Sequence, residues 1–144
     1  MVSSRVTTLI STVLLGLTAC SGSDSGPAGP SIPSVSGVYS GTNAVVTNTC
    51  TGETGVFNDV RSVSITQTGS SIRITLAGLV LNGSIDSSGA FSASGSSNVD
   101  GVQIVATMNG SITSGRFVAT EQANLSVPGD SCTVVLSFNM TREA

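Results

Sequence analysis

Few residues in this chain are equipped for chemistry, and the missing types matter as much as those present. The 144 residues include three cysteines (Cys20, Cys50 and Cys132), eight acids and five arginines, but no histidine and no lysine. Without them there is no Ser-His, Cys-His or Ser-Lys nucleophile pair, no Schiff base and no His-ligated metal. No Gly-x-Ser-x-Gly elbow occurs either. Glu53, Asp59, Asp86, Asp100, Glu121 and Asp130 are scattered singly. Carboxylate chemistry on a sugar needs two acids converging in one cleft, so these read as solvated loop acids. Ser97 to Gly101 resembles half a calcium loop but lacks further carboxylates and a distal Glu. It reads as an ordinary turn. Arg61 and Arg73 flank one expected hairpin and could meet on one face to hold an anion. The plainer reading is two exposed, solubilising arginines. The net charge of −3 offers no basic patch, so nucleic acid is a poor partner. The expectation is a protein that is not an enzyme and carries no metal or cofactor.

That leaves sulfur. Met1 to Arg5 is a short segment with one positive charge, and Val6 to Leu17 is a mostly apolar run of about a dozen residues, within the secretory-signal range of roughly 7–15. As a helix it would rise about 18 Å, too short for a hydrocarbon core of about 30 Å. The run ends in Leu17-Thr18-Ala19-Cys20. This resembles the lipobox of bacterial lipoproteins: a branched apolar residue, two small residues, then Cys. The resemblance covers about 20 residues and implies a signal peptide over 1–19. It also implies a thioether-linked diacylglycerol on Cys20, cleavage before it, and usually a third acyl chain on the new amino group. Two or more chains anchor stably where one is marginal, at about 0.8 kcal/mol per buried CH₂. In that family an Asp after the Cys often retains the protein at the inner membrane. Ser21 stands here, so the expected location is the outer membrane, at its periplasmic face or on the cell surface.

The elements that would carry these groups follow. Residues 20–36 comprise the lipidated Cys and a Ser/Gly/Pro-rich stretch with one charge, Asp24. It has too little apolar surface to offset ordering entropy and reads as a flexible linker. Residues 37–144 form the expected domain. Its wealth of Ser, Thr, Val, Ile and Gly favours strands joined by tight turns. Strands are expected over Val38–Val46, Val60–Gln67, Ile72–Leu76, Val102–Ile112, Phe117–Ala123 and Cys132–Met140. Thr47–Asn58 is expected as a loop or ragged strand and Gly95–Gly101 as a polar loop. At Ala77-Gly78 the apolar parity flips from even to odd, as a tight turn or bulge would require.

An internal echo runs from Leu81-Asn82-Gly83-Ser84-Ile85 to Met108-Asn109-Gly110-Ser111-Ile112, each followed by a Ser/Gly turn and a strand opening on Phe91 or Phe117. A duplicated ligand site is one reading; a repeated hairpin is the simpler one. Asn-Gly often marks a hairpin turn, but a better turn follows each pair, so both belong within or beside strands. The whole describes an all-β, antiparallel meander of about eight strands. It is expected to close into a small up-and-down barrel, with a β-sandwich as the alternative.

If Cys20 is acylated, Cys50 and Cys132 remain as an even pair in an exported domain, and a disulfide is expected. The competing reading is two buried free thiols. One cysteine follows the first strand and the other opens the last, so a bridge would bring together the two strands that barrel closure must join.

Three functions fit: an interaction or structural module binding another envelope protein, a carrier of a small apolar ligand, or an inhibitor of a secreted hydrolase. The carrier reading rests on a likeness to lipocalin-like barrels in architecture alone. Small inward residues (Ala77, Gly83, Ala93, Ala106, Gly110, Ala119) leave room for either a cavity or a narrow packed barrel.

Overall fold

A computed structural model describes residues 29–52 and 54–144, without the side chains of 56–60. The expected signal peptide, Cys20, the expected linker through residue 28, and Glu53 therefore lie outside the described residues.

Eight strands follow in order: β1 (Gly37–Asn48), β2 (Gly55–Thr68), β3 (Ser71–Leu76), β4 (Leu79–Ile85), β5 (Ala90–Val99), β6 (Val102–Thr113), β7 (Arg116–Val127) and β8 (Asp130–Arg142). Each pairs antiparallel with the next, and β1 pairs with β8, so the meander closes into a barrel. Side chains alternate across a strand, and the sequence uses that alternation cleanly. On β3, Ile72, Ile74 and Leu76 are buried while Ser71 and Arg73 are exposed; on β7, Phe117 and Ala119 are buried while Val118 and Thr120 are exposed. Apolar inside and largely polar outside is the reverse of a lipid-facing barrel.

The turns define two ends. At one end lie Ala77-Gly78, Asp100-Gly101, Pro128-Gly129 and the longer β1–β2 loop. Ala77 (φ 48°) with Gly78 (φ 85°), and Asp100 (φ 51°) with Gly101 (φ 84°), make two-residue hairpins with both residues left-handed, the twist that suits paired strands. The parity flip at Gly78 is thus a turn. At the other end lie Gly69-Ser70, Asp86–Gly89 and Ser114-Gly115. The echo's two turns differ there: Asp86 accepts from the Ser88 N–H, the Ser88 hydroxyl and the Ala90 N–H, while Ser114-Gly115 is a bare two-residue turn.

The second end is sealed. The chain enters it ahead of β1 and buries Val35. The Val35 N–H donates to Gln67 Oε1 at 2.8 Å, Gln67 Nε2 donates to the Pro33 carbonyl at 2.9 Å, and the Tyr39 hydroxyl donates to the Val35 carbonyl at 2.7 Å. Pro33 to Val35 therefore pack with the barrel rather than with the linker. Above this plug the lumen is filled. Phe117 stands between Tyr39, Phe91 and Phe138, with ring centroids 5.9, 5.5 and 6.4 Å away, and Ile65, Ile74, Leu81, Met108, Ile112 and Met140 complete the core.

The expected loop over Gly95–Gly101 is a correction: β5 runs to Val99, its ladder to β6 continuing through Gly95↔Ala106 to Val99↔Val102. Its polar composition misleads because Ser94, Ser96 and Asn98 face water. On the inward parity stand only Gly95, where a Cβ would overlap the Val80 carbonyl oxygen, Ser97 and the exposed Val99. β7 also extends past Ala123 to Val127, and β2 begins at Gly55, within the stretch expected as a loop or ragged strand.

Candidate functional site

The unsealed end is where the lumen meets solvent. The inward faces of β6, β7 and β8 form successive layers through their registers: Ile104–Leu125–Cys132, Ala106–Ala123–Val134, then Met108–Glu121–Leu136. Met108 and Ala106 are fully buried, but Ile104, Ala123, Leu125, Cys132, Val134 and Leu136 are only half-buried. Val45 on β1 and Leu79 on β4 are inward and half-buried too. Inward side chains gain exposure only through the mouth, so the upper barrel is an apolar funnel. Its rim holds a space of about 230 Å³ lined by Cys50, Val102, Leu125, Val127 and Cys132, among others.

The funnel has a polar floor. Asn43 and Glu121 are 2% and 3% exposed, the only buried polar residues among those described. Asn43 follows Tyr39 and Gly41 on the inward parity of β1 and pairs with Phe138; Glu121 follows Phe117 and Ala119 on β7 and pairs with Leu136. They face the same lumen with β8 between them. Both polar atoms of the Asn43 side chain and Oε2 of Glu121 lack a hydrogen-bond partner. A buried polar group without a partner is rare in folded proteins and unfavourable by about 1–3 kcal/mol. Burial pushes the Glu121 carboxyl above the usual carboxylate range, and the Arg61 guanidinium opposes this only in part. Ionisation of Glu121 is thus less favourable than that of a solvated carboxyl.

Glu121 corrects the expectation of solvated loop acids: it lies mid-strand and inside. Asp86, Asp100 and Asp130 are exposed at or beside turns, as expected. Hydrogen bonds from the Ser88 side chain and backbone hold the Asp86 carboxyl below its usual range. Asp100 sits at a hairpin tip, an ordinary turn. Asp59 falls among the undescribed side chains. Arg61 and Arg73 do not share a face. Arg61 has the inward parity of Val63 and Ile65, whereas Arg73 pairs with outward Thr66.

Cys50 and Cys132 meet at disulfide distance, with Cα atoms 5.1 Å apart. They lie at the mouth, just past the last β1–β8 pair, Asn48↔Val134. Thr49 supports the join, its N–H donating to the Thr133 carbonyl at 2.9 Å and its Oγ1 accepting from the Thr133 N–H at 2.8 Å. Cys50 is exposed and Cys132 half-buried, so the two-buried-thiols alternative fails on burial.

Asn43 escaped the sequence reading, although its signal was present. Counting by twos from Tyr39 places it inside, as counting from Phe117 does for Glu121.

No family model matches this chain, nor does any curated protein or solved structure.

Proposed function

We propose that the chain is a non-enzymatic lipoprotein, anchored in the outer membrane through acyl groups on Cys20, whose barrel is an interaction module presenting its open end to another envelope component. The observation that carries this reading is the placement of the two ends. The segment leading back toward Cys20 enters at the sealed end, where Pro33 and Val35 close the barrel. The tether therefore leaves from the closed side, and the open rim faces away from it. The Cys50–Cys132 pair tightens the rim where β1 meets β8, pre-organising it at little entropic cost on binding.

Carriage of a small apolar ligand is a weaker reading. Aromatic rings fill the lower lumen, and the rim space of 230 Å³ is below the roughly 300 Å³ of ordinary ligand pockets. A hydrolase inhibitor ranks last, because three of the four rim connections are two-residue turns with no inserted loop to fill an active site.

Two measurements on the full chain in its own host test this. Cys20→Ser is expected to move the protein out of the membrane fraction; retention there would sink the anchor. Photo-crosslinking residues placed at Asp100 and Pro128 on the rim are expected to trap a discrete partner, while the same residue at Ser70 or Ser87 is not. Equal trapping from both ends, or none from the rim, would sink the interaction module.

A further inference from the structure

The rim is both apolar and acidic. Val102, Leu125, Val127 and Cys132 share the inward parity of β6, β7 and β8, and with Cys50 they wall the rim space of about 230 Å³. Aliphatic carbon and the paired sulfurs dominate this lining; beside Ser126 and Ser131 it holds one ionisable group, Asp130. Asp130 is exposed, and its Oδ1 accepts from the Ser131 N–H at 2.8 Å, which leaves Oδ2 to a partner. Asp100 is exposed at the neighbouring hairpin tip, just ahead of Val102. The arginines are elsewhere. Arg73 and Arg116 follow the sealed-end turns at Gly69-Ser70 and Ser114-Gly115, and the Arg142 N–H donates to the Gly115 carbonyl at 2.7 Å. Arg61 pairs with Gly41, well below the end of β1 at Asn48. The rim turns thus carry carboxylates and no cation.

We propose that the rim docks a basic segment of a protein partner, seating one large aliphatic side chain in the rim space with a lysine or arginine on either side. The inference rests on the interaction-module reading and gives that module's partner its chemistry. A space of this size is below the roughly 300 Å³ of ordinary ligand pockets. It suits a single anchor side chain, the usual centre of a protein interface. The aliphatic walls select the anchor, and the carboxylates select its neighbours.

The spacing follows from the sheet. Adjacent strands lie about 4.8 Å apart, so Asp100 at the head of β6 and Asp130 at the head of β8 stand about 10 Å apart. That is about three residues of extended chain, enough to put a cation on each side of the anchor. Val99 and Val127 are exposed beside the space and offer apolar surface to the stems of those long side chains. At the other end three arginines stand against Asp86 and Glu143. That makes the sealed end the poorer surface for a basic segment, so charge also selects which end the partner meets.

The probe is the capped peptide acetyl-Lys-Lys-Leu-Lys-Lys-amide, titrated into the full chain while the methyl resonances of Val102, Leu125 and Val127 are followed by NMR. These are expected to shift saturably, with Val35 at the sealed end unmoved. The same peptide with Ala at its centre, or with Glu for every Lys, should bind at least ten-fold more weakly. Asp100→Asn with Asp130→Asn, both on exposed positions, should weaken the Leu-centred peptide at least five-fold. Raising salt to about 0.5 M should do the same to the unaltered protein, a readout that no change of fold can imitate. Unmoved rim methyls, equal affinity for the Ala-centred or acidic peptide, or affinity indifferent to salt would each overturn the proposal. Crosslinks from Pro128 to a partner, found alongside any of these results, would leave the interaction module standing and its basic partner refuted. Absence of rim crosslinks would remove both.

Discussion

Glu121 is a titratable group placed where its ionised form is disfavoured, which makes it the residue whose replacement is most informative. Its carboxyl is raised by burial, with Arg61 offsetting part of the effect. In the unfolded chain the same group ionises near the ordinary Glu value of about 4.3. Between the unfolded and folded values the unfolded state binds fewer protons, so stability falls as pH rises through that window. Below it both states are protonated and nothing is lost. Glu121→Gln removes the titration while keeping the shape. Urea melts from pH 3 to 8 should therefore show the two proteins alike at the acid end and the Gln variant more stable at neutral pH. Asp86 acts in the opposite sense, its carboxyl held low by Ser88, but it is common to both proteins and cancels in the difference. Parallel stability profiles would mean that Glu121 is solvated. Its burial was readable from parity alone; the absence of a partner was not. That depends on which side chains β1 and β8 bring across the lumen, a matter of closure rather than local pattern.

At the scale of the strand, the echoed Asn-Gly pairs show why a turn motif here is a strand motif. Gly83 pairs with Ala93, and Gly110 pairs with Ala119 on one side and Phe91 on the other. A Cβ at Gly83 would overlap the Ser92 carbonyl oxygen and stand 2.5 Å from the Ala93 Cα; one at Gly110 would overlap the Val118 carbonyl oxygen and stand 2.7 Å from the Ala119 Cα. The strands approach so closely at these points that only glycine fits, which lets a narrow barrel coil. Overpacking usually destabilises by about 1–3 kcal/mol. Here the obstacle is backbone that cannot swing aside, so Gly83→Ala and Gly110→Ala should each lose about 3 kcal/mol or more in urea melts. Ser84→Ala, exposed on the outer face of the same strand, should stay within about 0.5 kcal/mol. Alanine variants that melt with the parent protein would show that the strands part easily here. Strict alternation made β3 and β8 legible, with Ile72, Ile74 and Leu76 on one face and Phe138 and Met140 on another. The upper part of β5 was illegible because its inward face carries Gly95, where a Cβ would overlap the Val80 carbonyl oxygen, and Ser97, so close strand approach removes the apolar signal there.

At the scale of the molecule, the join between β1 and β8 decides whether the meander becomes a barrel. The two strands pair from Tyr39↔Arg142 to Asn48↔Val134, so closure brings opposite ends of the domain together, an entropically slow contact to form. Both ends of this seam are reinforced. At the sealed end the Glu143 N–H donates to the Val38 carbonyl at 2.8 Å, and at the mouth Cys50 meets Cys132, 82 residues away in sequence. A crosslink of that span restricts the unfolded chain by about 4–5 kcal/mol in the loop-entropy model. The ladder and the aromatic core around Phe117 do not pass through sulfur. Cys50→Ser with Cys132→Ser should therefore still form the barrel, by an unchanged far-ultraviolet spectrum, yet lose up to about 4–5 kcal/mol on urea unfolding. Most of that loss should appear as slower refolding, since the crosslink acts on the chain before the seam closes. Unchanged stability would mean that the thiols are not joined in the mature protein. Loss of the strand spectrum would mean that the seam depends on sulfur and that the paired backbone alone cannot close it. The two cysteines marked this seam in the sequence because they stand just beyond the first strand and near the start of the last, the only two strands a meander leaves without a second neighbour.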